Sequence, residues 1–228
     1  MFTCNTTLPG AKMRLKTKSE EYLSSMCARH PALLSVQGQV RQAAEIICAS
    51  CKTGGKVLLC GNGGSAADCQ HIAGELMKGF LLKREPPRDD VEKLKASGFA
   101  DWESLAQSLQ KGIPAISLAE HSALSTAVIN DTDPYITFAQ QLYALGRPGD
   151  VLIAISTSGN ARNVICALKV ARAFGIPSIG LTGSRPSKMD DLCDTIIKVP
   201  ETETFKVQEL HLPVYHTLCM MVEEELFG

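Results

Sequence analysis

Short runs of apolar residues recur along the chain, and turns rich in glycine or polar residues follow several of them. Five of these runs predict buried strands, at residues 56–60, 114–118, 151–155, 177–181 and 195–199. Stretches with apolar residues at helical spacing lie between the runs, at 65–83, about 121–145 and 161–174. Because strands and helices alternate, the pattern predicts an α/β fold, with a five-stranded parallel sheet flanked by helices.

Both ends of the pattern are helical. Residues 19–52 predict helix in one or two pieces, with a break at Pro31. Residues 205–227 predict a last helix that is apolar nearly all round, which is typical of a helix buried between elements or between subunits. Pro213 lies inside this helix, so we expect it to kink or restart there.

Residues 84–112 are longer than a usual connection within a strand–helix–strand unit. We interpret them as an insertion with short helices at 90–96 and 101–111, on either side of Gly98. The simplest expectation is a helical hairpin packed on the surface, and a lid or an oligomer contact are the alternatives. With this insertion, residues 1–228 are predicted to form a single domain.

Composition excludes several classes of protein. Hydrophobic residues make up 45% and charged residues 21% of the 228-residue chain, as in ordinary globular proteins. The net charge of −1 gives no overall attraction to nucleic acid or to an anionic membrane, and no apolar run approaches a membrane span. Residues 1–18 lack the apolar segment of a secretory signal. We therefore expect a cytoplasmic protein with neither nucleic acid nor membrane as its partner.

The nine cysteines fit the same expectation, because their number is odd and most lie in apolar segments. Cys48 and Cys51 form an isolated CxxC late in a helical pattern. Two packed thiols explain this pair better than a redox or zinc site does.

Two loops that follow predicted strands indicate a phosphate site. Residues 61–67 place glycines and a serine before a helix, and residues 156–160 place three consecutive hydroxyls before another. Both loops are expected at the carboxyl edge of the sheet, where open α/β sheets bind ligands. Each alone could be simple helix capping. There is no P-loop lysine and no third glycine of a dinucleotide motif, so an ATP or nicotinamide site is not expected.

His71 and Glu75 lie four residues apart in the helix that the first loop opens, so both side chains share one helical face. They could share a metal ion, transfer a proton or form a simple ion pair. Gln208 and His216 are polar positions in the apolar last helix and need partners there. Eight residues separate them, a rise of about 12 Å in a regular helix. Either Pro213 distorts the helix, or the two side chains serve different sites, in different subunits.

Taken together, the motifs resemble the phosphoheptose isomerases of the sugar isomerase (SIS) family. The segments that carry the resemblance are CGNGGSAAD at 60–68, His71 with Glu75, VINDTDP at 128–134, ISTSGN at 155–160, LTG at 181–183 and QELHLPVYH at 208–216. The resemblance implies an α/β/α sandwich and a homotetramer with active sites at subunit interfaces. It also implies conversion of sedoheptulose 7-phosphate to a glycero-manno-heptose 7-phosphate through an enediol.

The resemblance also assigns site residues. Zinc, one ion per active site, is implied at His71, Glu75, Gln208 and His216, with Glu75 as catalytic base and His216 as catalytic acid. The implied contacts to the phosphosugar are Asn62, Gly63, Gly64, Ser65, Asn130, Asp131, Ser156, Thr157, Ser158, Asn160 and Gln208. From its position alone, Asp131 is as well explained as the cap of the next helix.

Three positions depart from the pattern of that family, namely Gly79, Ala161 and Phe205. The departures leave the identity of the sugar open, and the insertion could supply replacement contacts from Arg84, Arg88 and Lys111. Two alternatives therefore stay beside the main hypothesis. One is an isomerase of a different phosphosugar, and the other is a SIS domain that senses a phosphosugar or docks a protein without turnover.

Overall fold

The computed structural model describes residues 14–228. Its strands are β1 (Val57–Gly61), β2 (Ala115–Ser117), β3 (Val151–Ile155), β4 (Ser178–Thr182) and β5 (Thr195–Lys198). Its α-helices are α1 (Thr17–Arg29), α2 (Gln37–Lys52), α3 (Gly64–Met77), α4 (Arg88–Ala96), α5 (Trp102–Ser108), α6 (Ser122–Asp131), α7 (Thr137–Leu145), α8 (Arg162–Ala173) and α9 (Thr204–Phe227). Short 3₁₀ turns at Pro31–Val36 and Pro134–Ile136 precede α2 and α7.

All five strands pair in parallel, in the order β2-β1-β3-β4-β5. Each predicted strand is confirmed to within one residue at either end. These runs carry apolar residues without a polar face because helices cover both faces of the sheet, as a parallel sheet requires.

Alternate residues of the central strands β1 and β3 enter two separate cores. On one face Val57 and Leu59 pack with apolar residues of α1, α2, α3 and α9. On the other face Leu58 and Cys60 pack with apolar residues of α7 and α8. This alternation follows from the two-residue period of a strand. The fold is therefore a sheet between two layers of helices, as predicted.

Helix α3 ends at Met77, six residues earlier than the pattern predicts. The backbone N–H groups of Phe80, Leu81 and Leu82 donate to the carboxylate of Glu223 in α9 instead of continuing the helix. A long-range partner thus ends this helix, and local helix propensity does not reveal it.

The stretch predicted as helical at 121–145 is broken in the structure. Helix α6 stops at Asp131, and Asp133 accepts a hydrogen bond from the N–H of Tyr135 to cap the 3₁₀ turn that starts at Pro134. Asp133, rather than Asp131, is therefore the cap. In the last helix Pro213 produces no restart, because α9 runs without interruption from Thr204 to Phe227.

The insertion contains the two short helices that were predicted, α4 and α5, and neither has a buried residue. They pack against each other, with Lys95 over the ring of Trp102. Arg84, at the start of the insertion, is an exception because it is only 2% exposed. It is therefore closed to a phosphosugar, whereas Arg88 and Lys111 are exposed.

Two further findings concern expectations from composition. None of the helices between residues 14 and 228 has both the length and the hydropathy of a membrane span. The eight cysteines within that range are all free thiols, and burial raises the pKa of Cys48 to about 12 and that of Cys51 to about 11. The prediction about residues 1–18 falls mainly on residues 1–13, outside the described part, as does Cys4.

Candidate active site

The two hydroxyl- and glycine-rich loops lie side by side at the carboxyl edge of the sheet. They follow β1 and β3, which are neighbours, with Gly61 in register with Ile155. In this strand order the chain reverses direction across the sheet between β1 and β3, and such a switch point is where doubly wound sheets bind ligands. Asn62 and Asn163 exchange two side-chain hydrogen bonds, of 2.9 and 2.8 Å, that tie the loop after β1 to the first turn of α8.

The loop after β1 depends on its glycines. Gly63 has a φ of +56°, a conformation that glycine adopts without strain. A Cβ at Gly64 would collide with the side-chain amide of Gln208, so Gln208 lies directly against the start of α3. Ser65, in the first turn of α3, is 3% exposed. Its hydroxyl is near the end of the helix where backbone N–H groups lack partners and favour an anion.

The loop after β3 is held by its own backbone and by the loop after β4. Gly159 has a φ of +65°, and the N–H of Gly183 donates to the carbonyl of Thr157. The side chain of Asn160 donates to the carbonyl of Ser158 and accepts from the N–H of Lys188. Asn160 therefore already has a structural role, as part of the framework of the loop.

His71, Glu75 and His216 lie together in one chain. His71 Nε2 is 3.3 Å from Glu75 Oε1, and Lys78 Nζ is 3.1 Å from Glu75 Oε2. The ring of His216 meets that of His71 edge to face, with 4.9 Å between centroids. The ring of Phe80 also packs on His216, with 5.6 Å between centroids. An early helix and the last helix thus bring two imidazoles and a carboxylate to one place.

Tyr215 contacts the ring of His71 and restrains it. Its hydroxyl lies 3.0 Å from His71 Nδ1. Burial, followed by the carboxylate of Asp68, raises the pKa of Tyr215, so the phenol keeps its proton at neutral pH. The phenol lies against both the carboxylate of Asp68 and Nδ1 of His71, so it restrains the His71 ring, whose other nitrogen, Nε2, lies 3.3 Å from Glu75 Oε1.

His216 is the better candidate for a neutral imidazole. Burial first, and then the neighbouring His71, lower its pKa. Its Nε2 is buried and has no hydrogen-bond partner among the described residues. A buried polar atom without a partner is uncommon and often marks a position where a ligand or metal completes the site.

Several predicted site residues lie apart from this cluster. Gln208 is two helical turns from His216 along an uninterrupted α9, so the helix does not bring them to one point. Asn130 and Asp131 are exposed at the end of α6 and bond to each other. In residues 14–228 no group of three or more His, Cys, Asp or Glu side chains is arranged to hold a metal ion.

Three contributors to the site are absent from the sequence predictions. They are Asn163, Asp68 and Tyr215. Asp68 precedes His71 by three residues, so helical spacing already places both on one face of α3. No local signal pairs Asn163 with Asn62, because 101 residues separate them.

Comparison with known proteins decides the family. The SIS domain model matches residues 21–94 and 96–183. A phosphoheptose isomerase of Rhodospirillum rubrum is 41% identical over 187 residues, which cover 82% of this chain and 86% of the relative. The chain belongs to the phosphoheptose isomerase family of SIS-domain proteins.

Solved phosphoheptose isomerases share the fold. The structure from Neisseria gonorrhoeae superposes with a TM-score of 0.67 at 31% identity and covers 90% of this chain and 97% of its own. The one from Francisella tularensis gives a TM-score of 0.70 at 28% identity, covering 90% and 96%. The likeness to solved phosphoheptose isomerases thus extends over about nine-tenths of this chain.

Proposed function

We propose that the chain is an aldose–ketose isomerase that converts sedoheptulose 7-phosphate to glycero-manno-heptose 7-phosphate. The observation that carries the proposal is the cluster of His71, Glu75 and His216 in a member of the phosphoheptose isomerase family. The carboxylate and the imidazoles are the groups that proton transfer at neutral pH needs. The two loops beside β1 and β3 add the hydroxyl and N–H donors that bind a phosphate.

Phosphate binding fixes the substrate. We assign it to the hydroxyls of Ser65, Ser156, Thr157 and Ser158 and to backbone N–H groups at the starts of α3 and α8, neither of which has a side-chain cap at its N-cap residue. Asn62, Gly63 and Gly64 shape the first loop, and Asn160 shapes the second. Neutral donors bind the anion without an added cation, and they hold the reacting carbons at one distance from the cluster.

Glu75 is the proposed base. It removes the proton from the carbon next to the carbonyl, while His216 gives the N–H proton of its neutral imidazole to the carbonyl oxygen, and an enediol results. The return step places a proton on the former carbonyl carbon and takes one from the neighbouring hydroxyl, which yields the aldose. Both Glu75 oxygens are oriented, Oε1 by His71 and Oε2 by Lys78, so the carboxylate is held in place for this transfer.

Zinc is part of the proposal as one ion held by His71, Glu75 and His216, with Gln208 of a neighbouring copy as the fourth ligand, because one uninterrupted α9 keeps Gln208 and His216 of the same chain apart. The unpartnered Nε2 of His216 and the ring of His71 beside Glu75 suit zinc, which binds nitrogen and oxygen donors. Since no finished metal group exists in the described residues, these side chains must move closer to bind it. When bound, zinc would polarise the carbonyl and stabilise the enediolate.

We further propose a cytoplasmic homotetramer whose active sites lie at subunit interfaces. Helix α6 supports this, because Val128 is its only buried residue while Leu124 and Ile129 are exposed. A second copy that covers α6 would bring Asn130 and Asp131 against a neighbouring site. The free thiols of the described cysteines are typical of a reducing compartment.

The deciding experiment is incubation with sedoheptulose 7-phosphate, followed by NMR for an aldoheptose phosphate. The same reaction in deuterated water tests the base, because Glu75→Gln in folded protein should lose exchange at the carbon next to the carbonyl. Unchanged exchange would refute the role of Glu75. Binding without product would instead favour a phosphosugar sensor, and turnover only of another sugar in a substrate panel would correct the substrate.

Metal analysis tests the zinc proposal separately. The wild type should carry about one zinc per chain, and His71→Ala and His216→Ala should each lose it while remaining folded. Retention of stoichiometric zinc by both variants would refute the assigned ligands.

A further inference from the structure

Arg84 makes an unusual set of buried contacts. Its Nη1 donates to the carbonyl of Leu76 at 2.6 Å, and its Nη2 donates to the carbonyl of Glu75 at 3.2 Å. These carbonyls belong to the last turn of α3, where the backbone lacks intrahelical partners. Arg84 Nε donates to Glu223 at 2.7 Å, and the guanidinium lies over the ring of Phe227. One side chain therefore joins the backbone of Glu75 to α9.

Glu223 completes the connection. It accepts from Arg84 and from the N–H groups of Phe80, Leu81 and Leu82, so both oxygens are fully used. Burial would raise the pKa of Glu223, but these N–H groups and the guanidinium outweigh burial and lower it. The segment that Glu223 fixes carries Phe80, which packs on His216.

Helical geometry relates this pair to the catalytic cluster. Glu223 follows His216 by seven residues, which is two turns, so both project from the same face of α9. Glu75 is itself in the last turn of α3, two residues before Met77, and Arg84 binds its carbonyl. The Arg84–Glu223 ion pair therefore links the end of α3, which carries the base Glu75, to α9, which carries the acid His216.

We infer that Arg84 and Glu223 are positioning residues that set the distance between Glu75 and His216. This inference rests on the proposed isomerase function. Stability alone is a weak reason for such a pair, because apolar residues of similar volume often replace buried ion pairs without loss. What an apolar pair cannot supply is the directional hold on the Glu75 carbonyl and on the 80–82 backbone.

The test uses Arg84→Lys, which keeps the charge but loses the forked contact, and Glu223→Gln, which keeps the volume and one acceptor oxygen. The matched control is Lys56→Met, which breaks another ion pair, Lys56–Asp150. This pair lies at the amino end of β1, at the other end of the strand from the proposed phosphate loop. Isomerisation of sedoheptulose 7-phosphate is measured over a range of pH, at a temperature where circular dichroism shows each protein folded.

We expect kcat to fall at least tenfold in Arg84→Lys and Glu223→Gln, with KM within threefold because the phosphate loops are untouched. The limbs of the kcat/KM profile against pH should also shift, which a reduced fraction of folded protein cannot cause. Lys56→Met should keep both kcat and the profile. If single variants do not fold, the double variant Arg84→Met/Glu223→Met, which leaves no unpaired charge, takes their place.

A folded Arg84 or Glu223 variant with wild-type kcat and an unshifted pH profile would overturn the inference, as would failure of all of them to fold. An inactive wild type would instead contradict the proposed function. The two failures are thus distinguishable.

Discussion

Gly159, in the loop after β3, offers a sharp test of how the proposed phosphate site is built. Its φ of +65° costs other residues about 1–2 kcal/mol. An added Cβ would also collide with the side chain of Ser187 and lie 3.0 Å from Thr182 Oγ1. Ser187 has little room to move, because its hydroxyl donates to Asp190 at 2.8 Å. Overpacking of this kind costs about 1–3 kcal/mol. We therefore expect Gly159→Ala to lower the free energy of unfolding by about 2–5 kcal/mol.

Two other glycines separate these contributions. Gly54 has a φ of +84° and open space around it, so Gly54→Ala should cost only the backbone contribution, about 1–2 kcal/mol. Gly38 lies in α2 with ordinary φ and no neighbour within 4 Å, so Gly38→Ala should be neutral or stabilise by up to about 1 kcal/mol.

Urea unfolding followed by circular dichroism measures all three variants, at one protein concentration because an oligomer's stability depends on it. Gly159→Ala should also raise KM for the phosphosugar, since the hydroxyls of Ser156 and Ser158 move with the loop, whereas Gly54→Ala should not. If Gly159→Ala costs no more than Gly54→Ala, the contact with Ser187 does not restrict this loop and the reasoning is refuted.

Three further predictions follow from single contacts. Burial lowers the pKa of His211 to about 4, so the unfolded chain binds the proton more tightly. The stability due to neutral His211 is present above pH 6.5 and is lost as the pH falls toward 4. When the pH is lowered from 7 to about 5, the free energy of unfolding measured in urea should therefore fall by about 2 kcal/mol more for the wild type than for His211→Asn. Asn163→Ala removes both bonds to Asn62 and should raise KM severalfold with little change in kcat, and an unchanged KM would contradict that role. Tyr215→Phe removes the partner of the His71 ring and should cost about 1–3 kcal/mol in urea unfolding, with unaltered stability as the contrary result.

Local sequence patterns determined most of the architecture. The five apolar runs became the five strands. A strand that is covered by helices on both faces of the sheet needs apolar residues on both faces, and this requirement produces a short continuous apolar run. The glycine- and hydroxyl-rich loops lie at the carboxyl edge of the sheet, because each directly follows a strand and all the strands of a parallel sheet end at the same edge. His71 and Glu75 share one face of α3 simply through a spacing of four residues.

Contacts between distant segments decided the rest. Helix α3 ends at Met77 because Glu223, 146 residues later, takes the next N–H groups, and Arg84 is buried for the same reason. The meeting of His71 with His216 depends on how α9 packs against α3, which no local period encodes. The sequence by itself thus determined the elements and the chemistry of their loops. Only the tertiary structure decided which side chains meet, because burial and hydrogen-bond partners depend on residues far apart in the chain.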